Sequence, residues 1–225
     1  MSHLFRHLHI LFACLLIAVI TRAADPPANP NLGDFEAQAG VGKVEPPGSA
    51  EYDKTKNQYT LKSSGENIWA KHDDFHFLYR KLSGDCSLTA DITLVGQGKN
   101  AHRKAGLMIR QSLDPDAPYV DIMIHGDGLI ALQYRPAKGE ITKDIKSQVK
   151  SPATVKIERR GDTFTVSVAP KTDKPELAFQ PTGSIKIELK DPVYSGLALS
   201  AHDPTTVETA AFGAVTLTST KSPPP

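Results

Sequence analysis

The chain is short of cysteine, of net charge, of long apolar runs and of helical periodicity, and each shortage removes a class of protein. Two of its 225 residues are cysteine, Cys14 and Cys86, which excludes a small scaffold stapled by disulfides. Lys and Arg number 26 against 25 Asp and Glu, a formal net charge of +1. No overall field therefore recruits nucleic acid or an anionic membrane. The longest apolar run, Ile10 to Ile20, falls well below the ~20 residues a membrane helix needs, so no transmembrane segment is expected in the mature chain. No segment sustains three helical turns of apolar periodicity, which argues against a helical bundle. What is present is ordinary globular composition, 40% hydrophobic and 23% charged, and it excludes a wholly disordered chain.

The N-terminus has the layout of a signal peptide. Arg6 precedes the apolar run, and Thr21-Arg22-Ala23 places small residues where a signal peptidase reads them. Residues 1–23 are therefore expected to be removed, with cleavage after Ala24 as the close alternative, and the product exported to the periplasm or beyond. Lipid anchoring at Cys14 is disfavoured, because most of the apolar run follows that cysteine rather than preceding it. Cleavage leaves Cys86 alone, in a strand-like string where a buried structural thiol is the simpler reading. Residues 24–32 form a Pro-rich linker, 33–219 one domain, and 220–225 a Pro-rich tail.

The domain reads as strands. Leu88, Ala90, Ile92 and Leu94 alternate with polar residues, as do Val120, Ile122 and Ile124, Val155 and Ile157, and Phe164, Val166 and Val168. Period-two patterning buries one face of a strand and wets the other. Gly126-Asp127-Gly128 and Arg160-Gly161-Asp162 separate such runs and read as hairpin turns. Some twelve short strands so connected predict an all-β, two-sheet antiparallel jelly-roll sandwich.

Several strings carry a resemblance. GSAEYDKTKNQYTLKSSGENIWAKHDDFHFLYRKLSGDCSLTADI precedes HRKAGLMIRQSL, and VYSGLALSAHD follows later. Asn67-Ile68-Trp69, Asp74-Phe75-His76-Phe77, Gly84-Asp85 and Lys104-Ala105-Gly106-Leu107-Met108-Ile109-Arg110 are its most specific parts. Over about 41–218 the chain resembles a family of exported bacterial concanavalin A-like domains. That family is related to the domain labelled as regulating enolase and to laminin-G-like jelly rolls. Three positions depart from its pattern: Asn67 stands for an aspartate, Ala70 for a glycine, and His102-Arg103 where a tryptophan is usual. The resemblance implies a concanavalin A-like jelly roll, often an accessory module beside enzymes, and no single reaction.

The 104–110 string supplies the leading site candidates. Ala105, Leu107 and Ile109 form a core face, and Lys104, Gly106, Met108 and Arg110 the opposite one. His76 and Arg80 alternate with Phe75, Phe77 and Tyr79 and are expected to share the outer, concave face with Lys104 and Arg110. Such a face offers charge-assisted hydrogen bonds to a sugar or an anion. Cross-strand ion pairs with Asp73, Asp85 or Asp91 are the structural alternative. Trp69 either stacks on a sugar or plugs one end of the sandwich. His202 follows a strand end, where loops carry function. His72 and His76 have i,i+4 spacing but lie in a loop-to-strand segment, so zinc is weakly indicated. Asp73-Asp74 and Asp114 with Asp116 offer oxygens to calcium without a calcium-loop spacing. No cofactor is implied. No paired-carboxylate run or nucleophile motif is found. The expected function is a non-catalytic, carbohydrate-binding domain. A structural or protein-binding sandwich of the cell envelope is the alternative, and a glycan-cleaving enzyme the second alternative.

Overall fold

The structure, a computed structural model, describes residues 30–171 and 178–220. The expected signal segment, most of the linker and all but one residue of the tail lie outside the described residues. A 3-10 turn at Pro30–Leu32 is followed by sixteen strands in chain order. They are β1 (Ala37–Val41), β2 (Ser49–Asp53), β3 (Gln58–Ser63), β4 (Ile68–Trp69), β5 (His72–Asp73), β6 (Phe75–Leu82), β7 (Cys86–Val95) and β8 (Lys104–Arg110). Then come β9 (Tyr119–His125), β10 (Ile130–Arg135), β11 (Lys143–Lys146), β12 (Ala153–Arg160), β13 (Thr163–Pro170), β14 (Gln180–Lys186), β15 (Val193–Ser200) and β16 (Glu208–Ser219).

Fourteen of these strands form two 7-stranded antiparallel sheets. The front sheet runs β1-β6-β15-β8-β9-β10-β11 and the back sheet β14-β13-β12-β7-β16-β3-β2. The non-consecutive neighbours mark the crossovers of a jelly roll, so the expected all-β sandwich is what the chain forms. The hairpins fall where the glycines predicted them. Gly128, at φ +84°, closes β9 onto β10, and Gly161, at φ +56°, closes β12 onto β13.

The alternating residues fill the space between the sheets. Leu88, Ala90 and Ile92 of β7 and Val155 and Ile157 of β12 meet Ala105, Leu107 and Ile109 of β8 and Val120, Ile122 and Ile124 of β9 in one apolar cluster. Each fully buried aliphatic side chain contributes roughly 1.5–3 kcal/mol.

The front sheet is also covered on its outer side. A second cluster there holds Val41, Ile68, Phe75, Phe77, Tyr79, Met108, Tyr119, Met123 and Ala198. Its cover is the small β4–β5 hairpin, whose Ile68 is fully buried against the sheet. This explains why every residue of β8 and β9 is buried, against the simple in-out alternation expected for them.

Buried ions hold that cover in place. Arg135 grips Asp73 of β5 with Nη1–Oδ2 at 2.7 Å and Nη2–Oδ1 at 2.6 Å. Arg110 lies 3.5 Å from the same carboxylate. Burial raises the Asp73 carboxyl above its usual range, and the two guanidiniums pull it back toward the charged form. Arg110 also donates to the carbonyls of Ser112 and Asp114, both at 2.6 Å, and lies 5.0 Å from the Phe75 ring centroid. Ser200 Oγ donates to the Asp74 carbonyl at 3.0 Å, tying the chain after β5 to β15.

Candidate functional site

Register fixes what the outer face of the front sheet presents. Paired residues on adjacent strands point to the same side. One row runs Arg110, Tyr119, Arg135; the next Met108, Asp121, Gln133, Asp144; the next Gly106, Met123, Ala131, Lys146; and the last pairs Lys104 with His125. The Asp73 ion network and the Tyr119–Thr142 hydroxyl contact, 3.0 Å, seal the first row. The far rows stay open to a cleft of about 340 Å³. Lys104, His125, Ala131 and Gln133 form its floor, Asn67 and Trp69 one wall, and His102, His202, Leu129, Asp144 and Lys146 its remaining rim.

The floor is polar, buried and under-bonded. Lys104 is 3% exposed, and its ammonium has one hydrogen bond, to the Ile68 carbonyl at 3.4 Å. That ammonium sits 5.7 Å from the Trp69 ring centroid. Burial lowers the Lys104 pKa to about 8, while Asp121, Asp73 and Asp144 act in the opposite sense. Asp121 is fully buried, and neither carboxylate oxygen has a hydrogen-bond partner of good geometry. Burial pushes its carboxyl well above the usual range, with Lys104 the main opposing influence. Gln133 Oε1 is buried and also lacks a partner. Burial drops His125 to about 4, so it is a neutral imidazole at physiological pH, with Nδ1 3.3 Å from the Leu129 carbonyl. His202, half-buried and at φ +54°, stands 5.5 Å from the His102 ring with its Nδ1 unpartnered.

The seven residues singled out from the sequence therefore separate. Trp69, Lys104 and His202 meet around the cleft. Met108 and Arg110 share that face but are buried, Met108 in the outer apolar cluster and Arg110 in the Asp73 network. His76 and Arg80 are on the other face, which corrects the expectation of one shared basic surface. His76 pairs with Leu199 and Arg80 with Ser195, and those residues align with the core-facing Ala105 and Ile109. The aromatic set Phe75, Phe77 and Tyr79 faces outward instead, under the β4–β5 cover. His76 meets Gln38 Oε1 at 2.9 Å, and burial lowers its pKa to about 4. The flat gap expected at Gly106 is filled by Met123: a Cβ there would lie 2.5 Å from Met123 Sδ and 2.0 Å from the Ile122 carbonyl oxygen.

The candidate metal ligands are engaged elsewhere. His72 is exposed and bonds Asp74 at 3.1 Å, while His76 points into the sandwich. Asp114 and Asp116 pair with Lys138 at 2.5 and 3.2 Å. Among the described residues no group of three or more His, Cys, Asp or Glu is placed to hold a metal ion. Arg103 pairs with Glu208 at 2.5 Å while donating to the Gly96 carbonyl at 2.6 Å.

Asp121, His125, Gln133, Asp144 and Lys146 were not singled out in the sequence, and Asn67 stood there only as a motif residue. The available signal was polar residues at alternate positions within otherwise apolar strands, Asp121 and His125 in YVDIMIH and Gln133 in IALQYR.

No family model matches the chain, so the likeness to the enolase-regulating domain rests on its motif residues alone. No curated protein matches it either. Solved structures do. A functionally unknown protein from Saccharomyces cerevisiae superposes with a TM-score of 0.59 at 14% identity, covering 82% of this chain and 97% of that one. Carbohydrate-binding module CBM66 from Bacillus subtilis gives 0.50 at 16%, covering 83% and 98%. Lectin II from Ulex europaeus gives 0.50 at 10%, covering 82% and 98%. The fold these likenesses share is the two-sheet jelly-roll sandwich, and at such identities they speak for the fold alone.

Proposed function

We propose that this chain is an exported carbohydrate-binding domain and that the cleft beside Trp69 is its sugar site. One observation carries the reading: an open cleft of about 340 Å³ combines an aromatic wall with a buried floor of unsatisfied polar atoms. That volume lies in the usual range for small-ligand pockets. A pyranose has an apolar C–H face for Trp69 and hydroxyls that both donate and accept. Gln133 Oε1 needs a donor and the Lys104 ammonium needs acceptors. The carbohydrate-binding module and the lectin among the structural neighbours support the reading at the level of fold. Export is inferred from the N-terminal sequence.

The test is titration of the purified chain with a panel of neutral and charged oligosaccharides, followed by calorimetry and by emission of its single tryptophan. Saturable binding weakened roughly 10- to 100-fold by Trp69→Ala is expected, about 1–3 kcal/mol for losing a stacked aromatic. Binding unchanged by Trp69→Ala would move the site elsewhere. A second reading follows from the Lys104–Asp121 pair, because buried groups with displaced protonation gather at catalytic sites. Appearance of new reducing ends or unsaturated products with bound oligosaccharides would favour it.

A further inference from the structure

Resting on that sugar-site reading, we infer that the sugar carries a carboxylate, a uronic acid, and that this group seats on the Lys104 ammonium. Ammonium has three donors, and Lys104 spends one on a long bond to a carbonyl. A buried ammonium left so bare is costly unless an anion completes it. The nearby acids do not complete it. Neither Asp121 oxygen makes a hydrogen bond to the ammonium, and Asp73 is committed to Arg135 and Arg110. Asp144 is an exposed rim residue, two positions from Lys146 on β11. Among the described residues no carboxylate makes an ion pair with Lys104. His102 and His202 add donors at the mouth, so the cleft offers a compact anion a positive floor and a hydrogen-bonding rim. A carboxylate fits better than a neutral hydroxymethyl at the same ring position, because it brings two acceptor oxygens and the missing charge.

The experiment compares matched ligands by calorimetry. Trimers of galacturonate, glucuronate, mannuronate and guluronate are titrated beside their methyl esters, with neutral and sulfated trisaccharides as further arms. At least one uronate is expected to bind tenfold or more tightly than its ester, with affinity falling as salt rises. Lys104→Met is expected to bind acid and ester alike while remaining folded by circular dichroism, and Lys104→Arg to recover part of the preference. Equal binding of acids and esters, or a preference that survives in Lys104→Met, overturns the inference. Binding of neutral sugars alone overturns it and leaves the sugar-site reading standing. Sulfated trisaccharides binding where every uronate fails overturns the carboxylate assignment. Silence across every arm removes the sugar-site reading and this inference with it.

Discussion

Replacing Lys104 by methionine should make the protein more stable while it loses its preference for acidic over esterified ligands. The Lys104 pKa is lowered from 10.5 to about 8 by burial. At about 1.36 kcal/mol per unit, the buried charge costs the folded state roughly 3 kcal/mol at neutral pH. The sign follows from the protons: the unfolded chain binds the lysine proton up to about 10.5, whereas the folded chain releases it near 8. The penalty is fully present below pH ~8 and fades to nothing by pH ~10.5. Methionine keeps the stem's volume and forfeits the contact with the Trp69 ring, worth about 0.5–1 kcal/mol, and a weak bond to Ile68. A net gain of about 1–2 kcal/mol is expected, or roughly 3–6 °C in Tm for a domain of this size. Thermal and urea melts at several pH values provide the assay. Wild type should gain stability between pH 8 and 10.5, and Lys104→Met should lose that slope. A variant at least 1 kcal/mol less stable than wild type at pH 7 would refute the reasoning. It would mean that Lys104 and Asp121 form a true internal ion pair.

Other perturbations test the frame that holds the cleft. Asp73→Asn leaves Arg110 and Arg135 buried without their counter-charge and should cost about 3–5 kcal/mol in urea unfolding; a cost below 1 kcal/mol would show that the network does not pin the β4–β5 cover. Gly106→Ala drives a methyl to 2.0 Å from the Ile122 carbonyl oxygen and should destabilise by about 1–3 kcal/mol, read as a lowered urea midpoint with an unchanged slope. Acid should unfold the protein through His76 and His125, both held near 4 by burial. Below pH ~6.5 the unfolded chain gains protons that the folded chain refuses, so stability falls toward pH 4 by roughly 3 kcal/mol for each histidine. Equal urea midpoints at pH 7 and pH 4.5 would contradict this.

The strands were legible because their burial is one-sided at the level of residue type. Leu88, Ala90 and Ile92 could face only a core, and the glycines at 128 and 161 could only turn the chain. The face assignment of β6 was not legible. Phe75, Phe77 and Tyr79 are the more apolar set, so they suggested the sandwich core, yet Leu78 and Leu82 take that place. A strand buried on both sides gives period two without saying which side is inside. The outer apolar cluster exists only because the β4–β5 hairpin folds back over the sheet, a non-local contact that no window of sequence contains. The cleft was half legible for the same reason. Trp69, Lys104 and His202 stand out as isolated residue types, whereas Asp121, Gln133 and Asp144 matter only once β9, β10 and β11 are in register.

The most direct test of the account is a titration of wild type and Gln133→Leu with the same oligosaccharide panel, followed through Trp69 emission and calorimetry. Gln133 lines the floor with an acceptor that nothing in the fold uses, so its replacement should spare the fold and weaken binding. The account predicts a saturable emission change with at least one glycan in wild type and a loss of tenfold or more in affinity in Gln133→Leu. Glycan binding of equal strength in both proteins would contradict it.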